Sequence, residues 1–440
     1  MIEYTTLVVL PDIFFFGNFA GKIYNVMSKY NSDSEILHVP FEKPDAYHSL
    51  AMPVYHTAAF EFNTAEEMEA AFCGRSTDHT YSRITNPTVQ YLEKRIQTMQ
   101  DALSVTALSS GMAAISGALF TIAKAGTNIV TSCHLFGNTY SFLNDTLGSL
   151  GVEIRMCDLT NPEEVRKAVD QQTCAIFLEI ITNPQMEVAD LTALSAIGKE
   201  YHIPLVADTT IVPSCAFQAK EFGIDIEILS STKYLSGGGT SLGGIIIDYG
   251  TFDWKHSPKL SQWADRYDKL AFTNRLRMEI HRNLGSYMTP QTAYMQTLGL
   301  ETLQLRFEKQ ASTCLELATR LQQTPGIQSV NYTGLPDNPY YELSLRQFGK
   351  FPGAMLTFDL DSREHCFAFL NRLQLIKRAT NLFENKSLAI HPASTIFGKF
   401  APEQRLNMNI KDSTIRLSVG LESCDDLHND IIQALSDSRK

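Results

Sequence analysis

Between about residues 100 and 250 one pattern recurs: a short apolar, β-branched run followed by a stretch with helical spacing. The runs fall at 103–108, 128–131, 152–156, 174–179, 204–208, 225–229 and 244–248, and helical spacing occupies 111–123, 161–169 and 191–201. Strands that are apolar on both faces must be covered on both, which a parallel sheet packed between helices achieves. The expected fold class is therefore α/β, a mainly parallel sheet covered by helices. Ligands of such sheets gather beyond the carboxyl ends of the strands.

The chain changes character after this region. Residues 251–282 are polar and aromatic with no clear period, and are expected to form an inserted loop. A long helical pattern at 298–322 leads into a second unit, where 353–360 and 413–419 alternate like antiparallel strands and 363–373 and 425–435 read as helices. The expected division is a disordered extension at 1–26, an N-terminal arm at 27–84, a large domain at 85–290 and a small C-terminal α+β domain at 291–440.

Bulk properties exclude several functions. Apolar residues make up 44% and charged residues 19% of the 440, the balance of a globular protein. The net charge of -11, with dispersed Lys and Arg, argues against nucleic acid or an anionic membrane as partner. Eight scattered cysteines without a Cys-x-x-Cys argue against a metal site or a disulfide framework and fit a cytoplasmic location. The apolar run from Leu7 to Phe16 is broken by Pro11 and Asp12 and has no basic residue ahead of it, so it makes a poor secretory signal. It is also too short to span a membrane. The functional chain is expected to begin near Met27.

Lys233 lies in Ser230-Ser-Thr-Lys-Tyr-Leu-Ser-Gly-Gly-Gly-Thr-Ser-Leu-Gly-Gly244, between two apolar runs. Hydroxyls and glycine amides hold phosphate, and a lysine shielded from water has a lowered pKa and becomes a nucleophile. Together they suggest a lysine that forms an imine with pyridoxal 5'-phosphate (PLP), an electron sink for amino-acid chemistry. An ordinary lysine in a surface turn is the alternative. Asp208 closes the run Pro204-Leu-Val-Ala-Asp208, where a carboxylate can pair with a protonated pyridine nitrogen. Opposite charges ~4 Å apart at an effective dielectric of ~20 attract by several kcal/mol, although Asp-Thr-Thr is equally a helix-starting sequence.

Three further motifs point the same way. Ser109-Ser-Gly-Met112 joins a strand to an alanine-rich helix, and amides at such a helix start attract phosphate or simply make a tight connection. Tyr81 and Arg83, two apart on an extended segment, point to one side and can serve one phosphate, with a structural ion pair as the alternative for Arg83. Arg416, in Thr414-Ile-Arg-Leu-Ser-Val419, is either a bidentate partner for an amino-acid carboxylate or an arginine on a solvent face.

The order of these motifs resembles that of the PLP-dependent enzymes of cysteine and methionine metabolism, from about Pro53 to Leu421. The resemblance is carried by Pro53-Val-Tyr-His-Thr57, Tyr81-Ser-Arg-Ile-Thr-Asn-Pro-Thr88, Ser110-Gly-Met112, Glu179-Ile-Ile-Thr-Asn-Pro184 and Ala207-Asp-Thr-Thr210. It continues in Ser230-Ser-Thr-Lys-Tyr234, His391-Pro-Ala-Ser394 and Arg416-Leu-Ser-Val-Gly-Leu-Glu422. It implies a fold-type I PLP-dependent transferase in which Lys233 carries the cofactor and shuttles protons, with Tyr81 as a second catalytic group. Asp208 would pair with the ring nitrogen, Ser230, Thr232, Gly111 and Met112 would bind the phosphate, and Thr210, Phe136 and Asn183 would complete the cofactor contacts. Arg416, helped by Asn381, would grip the substrate carboxylate. Tyr81 and Arg83 would reach the phosphate of a neighbouring subunit, which implies a homo-oligomer, a dimer or tetramer with shared active sites.

Within this family the glycine run at 238–244, Gly250-Thr-Phe-Asp-Trp254, the segment after it and Asn381 are similar to O-acetylhomoserine sulfhydrylases. The implied reaction is γ-replacement on O-acetyl-L-homoserine by sulfide or a thiol, with methionine γ-lyase or a cystathionine-type enzyme as alternatives. Phe136 stands where many members carry a tyrosine over the ring; it stacks but cannot donate a proton to a leaving group. Acetate needs little acid assistance, so this change, like Asn138 in place of the cysteine usual in methionine γ-lyases, favours the sulfhydrylase. Gly238 in place of a histidine, and Leu382-Phe-Glu384 in place of the usual Leu/Ile/Val-Gly-Asp, leave the sulfur donor open.

Overall fold

The computed structural model describes residues 32–43 and 45–438, so the extension expected at 1–26 lies outside the described residues. Strands β1 (Ser104–Leu108), β2 (Asn128–Thr131), β3 (Glu153–Met156), β4 (Thr173–Glu179), β5 (Leu205–Asp208), β6 (Ile226–Leu229) and β7 (Gly244–Asp248) form one sheet in the order β1-β7-β6-β5-β4-β2-β3. The β6–β5, β5–β4, β4–β2 and β2–β3 pairs are parallel, while β7 runs antiparallel to both of its neighbours. Every residue of β4 and β6 is buried, including Glu227, whose carboxyl accepts from the Thr209 hydroxyl at 2.6 Å. One face packs against the Gly111–Ile122 helix through Ile115, Leu119 and Ile122. The other is covered by the helices Pro87–Met99 and Leu191–Tyr201.

Two expectations about local structure need correction. Residues 251–282 are largely helical rather than an inserted loop, with α-helices at Ser261–Tyr267 and Ala271–Arg275 and a wider π-helical turn at Leu276–His281. Short helices of changing pitch have no single period, yet Trp254, Leu260, Phe272 and Leu276 all reach the core beside the Gly111–Ile122 helix. The long helix expected at 298–322 is instead broken at Thr302 into Pro290–Glu301 and Leu303–Leu321. The break lies against the segment after Lys233: a Cβ on Gly299 would stand 2.0 Å from the Leu235 carbonyl. Arg306 compensates for lost helical bonding by donating to the carbonyls of Gly299 (2.5 Å) and Tyr234 (2.7 Å).

The second unit is built on β8 (Ser329–Asn331), β9 (Met355–Asp359), β10 (Lys377–Arg378), β11 (Leu388–Ile390) and β12 (Thr414–Ser418), in the order β10-β11-β12-β9-β8. Only its β10–β11 pair is parallel. The helices Arg363–Arg372 and Cys424–Ser438 pack together beside it. Among the described residues no helix is long and apolar enough to cross a membrane.

Candidate active site

The carboxyl ends of β4, β5 and β6 converge. β5 ends on Asp208, and β6 leads into a turn in which the Lys233 amide donates to the Ser230 carbonyl (3.2 Å) and Ser236 to Ser231 (3.0 Å). Burial, reinforced by the positive charge of Arg416, lowers the pKa of Lys233 to about 8 against the opposing pull of Glu384 and Asp208. Its Nζ donates to Asn381 Oδ1 at 2.7 Å. Near neutral pH this leaves a usable fraction of free amine, which an exposed lysine does not offer.

Asp208 is half-buried at the end of β5, and its Oδ1 accepts from the Thr210 amide at 2.9 Å. Parallel pairing sets it directly opposite Glu179, the last residue of β4. Two carboxylates side by side in a shielded crevice resist ionising together. Burial and then the Asp208 charge push the Glu179 carboxyl up to about 8; burial raises Asp208 as well, with Thr210 and the Lys233 charge opposing that rise. The Lys233 charge, which acts on Asp208, favours the negative charge there and the shared proton on Glu179.

Glu179 was not among the residues singled out from sequence, although it opens the motif that ends in Asn183-Pro184. Its signal was a lone carboxyl closing an otherwise apolar strand. It latches two loops, accepting the Phe136 amide at 2.6 Å and a backbone hydrogen bond from Asn183. Replacing Glu179 by alanine is expected to cost about 1–3 kcal/mol in thermal or denaturant unfolding, because the loops lose a shared buried acceptor. Glu179→Gln mimics the protonated acid and should match wild type at low pH. The folded pKa is raised above the unfolded value, so the contribution of this group is fully present at acid pH and is lost as pH rises through the raised value. The stability of Glu179→Gln relative to wild type should accordingly rise with pH; a pH-independent difference would contradict a protonated Glu179.

The helix start expected to cradle a phosphate meets the turn that carries Lys233. Ser110 caps the Gly111–Ile122 helix, accepting from the Ala113 amide at 3.0 Å, and the first-turn amides of Gly111 and Met112 have no acceptor within their helix. A Cβ on Gly111 would lie 2.7 Å from the Ser230 Cβ, so the absence of a side chain there lets the Ser230 hydroxyl stand at the helix start. The Thr210 hydroxyl fixes Ser230 by accepting from its amide at 2.9 Å. Thr232, grouped with this cradle from sequence, has its hydroxyl against the Gly243 amide (3.0 Å) and carbonyl (3.2 Å), where it closes the glycine turn.

Arg416 is only 2% exposed on β12, which settles the choice against the solvent face. Among the described residues it donates to neutral oxygens, Asn183 Oδ1 (3.2 Å) and the Thr380 carbonyl (3.1 Å). Its Nε is buried without a partner among the described residues. Burial with no neighbouring anion depresses its pKa to about 9. A buried guanidinium left in this state is a site for a carboxylate. Asn381, expected to assist it, instead bonds Lys233 through its oxygen and Glu384 through its nitrogen (2.7 Å).

Tyr81 and Arg83 are not brought to Lys233 within this chain. The segment is a turn rather than extended, with the amides of Ile84 and Thr85 donating to the Tyr81 carbonyl. Arg83 stacks over the Tyr81 ring (5.4 Å) and donates to the Arg282 carbonyl (2.5 Å), leaving Tyr81 43% exposed. The two side chains thus share a side through stacking and not through strand alternation.

The site offers what PLP requires: an amine with a depressed pKa, a half-buried carboxylate for the ring nitrogen and a helix start with a hydroxyl for the phosphate. These residues fit the cofactor. The O-acetyl-L-homoserine sulfhydrylase 1 of Thermus thermophilus is 34% identical over 414 residues, covering 91% of this chain and 98% of that protein. The L-methionine γ-lyase of Pseudomonas putida is 33% identical, covering 91% and 96%. A crystal structure of an O-acetylhomoserine (thiol)-lyase from Campylobacter jejuni, carrying a pyridoxyl-lysine phosphate, superposes with a TM-score of 0.86 at 33% identity, covering 92% of this chain and all of that one. Residues 33–436 match the family described as Cys/Met metabolism PLP-dependent enzymes, and the chain belongs to that family.

Proposed function

We propose that the protein catalyses γ-replacement on O-acetyl-L-homoserine, with sulfide or a thiol as incoming nucleophile, giving L-homocysteine or its thioether together with acetate. The observation that carries this reading is the pairing of a low-pKa lysine with a buried arginine that lacks an anionic partner. Bound PLP supplies an electron sink that acidifies Cα and then Cβ of the amino acid. Arg416 holds the α-carboxylate, and the Asp208 carboxylate keeps the ring nitrogen protonated. Lys233 Nζ takes the Cα proton, passes it on before it takes a Cβ proton, and returns one proton to each carbon after acetate has left Cγ and sulfur has added there. Phe136, set beside Glu179 by its amide, would stack on the cofactor ring without offering an acid, which suits a leaving group that departs unaided.

The same reading places the enzyme in the cytoplasm as a homo-oligomer, a dimer or tetramer, in which Tyr81 and Arg83 serve a neighbouring subunit. The likeness to the Pseudomonas putida enzyme favours methionine γ-elimination as the second reading. Product analysis separates the two. PLP-loaded protein given O-acetyl-L-homoserine and sulfide should release homocysteine and acetate, and L-methionine should turn over at least about tenfold more slowly. Rapid methanethiol and 2-oxobutanoate from methionine, with no homocysteine from the first mixture, would overturn the proposal.

A further inference from the structure

The segment 381–385 is clamped onto the chain around Lys233. Phe383 stacks on Tyr234 (4.3 Å between centroids, 7° between planes) and its amide donates to Ser418 Oγ at 2.7 Å. The Asn385 amide donates to the Gly237 carbonyl (3.1 Å), and Gln310 holds the Glu384 carbonyl (2.7 Å). Within this clamp Asn381 Nδ2 donates to Glu384 Oε2 at 2.7 Å, while Asn381 Oδ1 accepts from Lys233 Nζ at 2.7 Å. The opposite wall is Gly239, at φ +66, where a Cβ would stand 2.2 Å from Glu384 Oε2. A side chain there would push the Glu384 carboxylate away from its present place.

We propose that Glu384 is a positioning residue for Lys233, acting through the orientation of the Asn381 amide. A carboxylate only accepts hydrogen bonds, so it draws the amide nitrogen of Asn381 towards itself and turns the amide oxygen to the lysine. The oxygen then stabilises and aims the ammonium form of Lys233 when that amine is not attached to the cofactor. The other charges facing Lys233 are Arg416, which opposes its protonation, and Asp208, which favours it. The inference rests on the reading of Lys233 as the cofactor lysine, but on no choice of substrate.

The test is the pH dependence of Lys233 acylation by an amine-directed anhydride in the full chain stripped of cofactor, read by peptide mass spectrometry. Recapture of PLP by each variant serves as the check on folding. Glu384→Gln keeps the volume but lets Asn381 flip, since glutamine both donates and accepts. Its Lys233 should titrate at lower pH and be acylated about threefold faster at pH 7, as a fall of about half a pKa unit requires. In an Asn381→Ala background the same substitution should lose about half of that effect or more, because its intermediary is gone. An unchanged titration in Glu384→Gln, or an equal shift in both backgrounds, would overturn the proposal. No amino-acid substrate enters the measurement, so a negative result leaves the γ-replacement reading standing, and failure of that reading leaves the titration unaffected.

Discussion

Lys233→Ala is expected to lower turnover by about a thousandfold or more and to abolish covalent retention of PLP, while the protein stays folded. The size of the effect follows from the number of tasks assigned to one Nζ: cofactor attachment and each proton transfer at Cα and Cβ. The tolerance of the fold follows from its surroundings. Lys233 Nζ donates to Asn381, and burial already lowers its pKa to about 8, so alanine removes a costly buried amine rather than a stabilising contact. Circular dichroism should match wild type, and noncovalent PLP should remain exchangeable on dialysis. A variant that kept both the visible absorbance of the attached cofactor and full activity would refute the assignment.

Arg416→Ala is expected to raise the KM for the amino-acid substrate about a hundredfold, with a smaller fall in kcat. A charge-assisted bidentate pair in a buried site contributes on the order of 2–5 kcal/mol when truncated. Arg416→Lys should rescue little of it, because an ammonium cannot match the two carboxylate oxygens with a planar fork. The free protein should tolerate the loss, since among the described residues Arg416 meets two neutral oxygens and no acid, with its own Nε left unpartnered. Steady-state kinetics on folded variants checks both statements. A KM within about threefold of wild type for Arg416→Ala would mean that the carboxylate binds elsewhere.

The sequence made the sheet, its strand positions and the central residues legible for a physical reason. Apolar runs closed by Asp208 and followed by Lys233 carry their meaning locally, because in a parallel sheet the end of a strand is also the edge of the ligand crevice. Glu179 has the same position in β4, but its significance appears only when β4 and β5 pair in register and two carboxylates face one another. Glu384 is harder still, since its contact with Asn381 and Gly239 requires two segments some 145 residues apart to be pressed together. The break at Thr302 was hidden because no proline marks it, and the close approach of Gly299 to Leu235 is not visible in the sequence. Thr232 shows the opposite difficulty: its residue type suits a phosphate ligand, yet its hydroxyl also ties down Gly243. Tyr81 and Arg83 form a pair in both readings, but through stacking in a turn.

The most direct test of the site is borohydride reduction of the PLP-loaded protein, followed by digestion and peptide sequencing by mass spectrometry. The account predicts a pyridoxyl phosphate group fixed on Lys233, in the peptide running through Ser230-Ser-Thr-Lys-Tyr234. Stoichiometric label on any other lysine, or none on Lys233 in active protein, would contradict it.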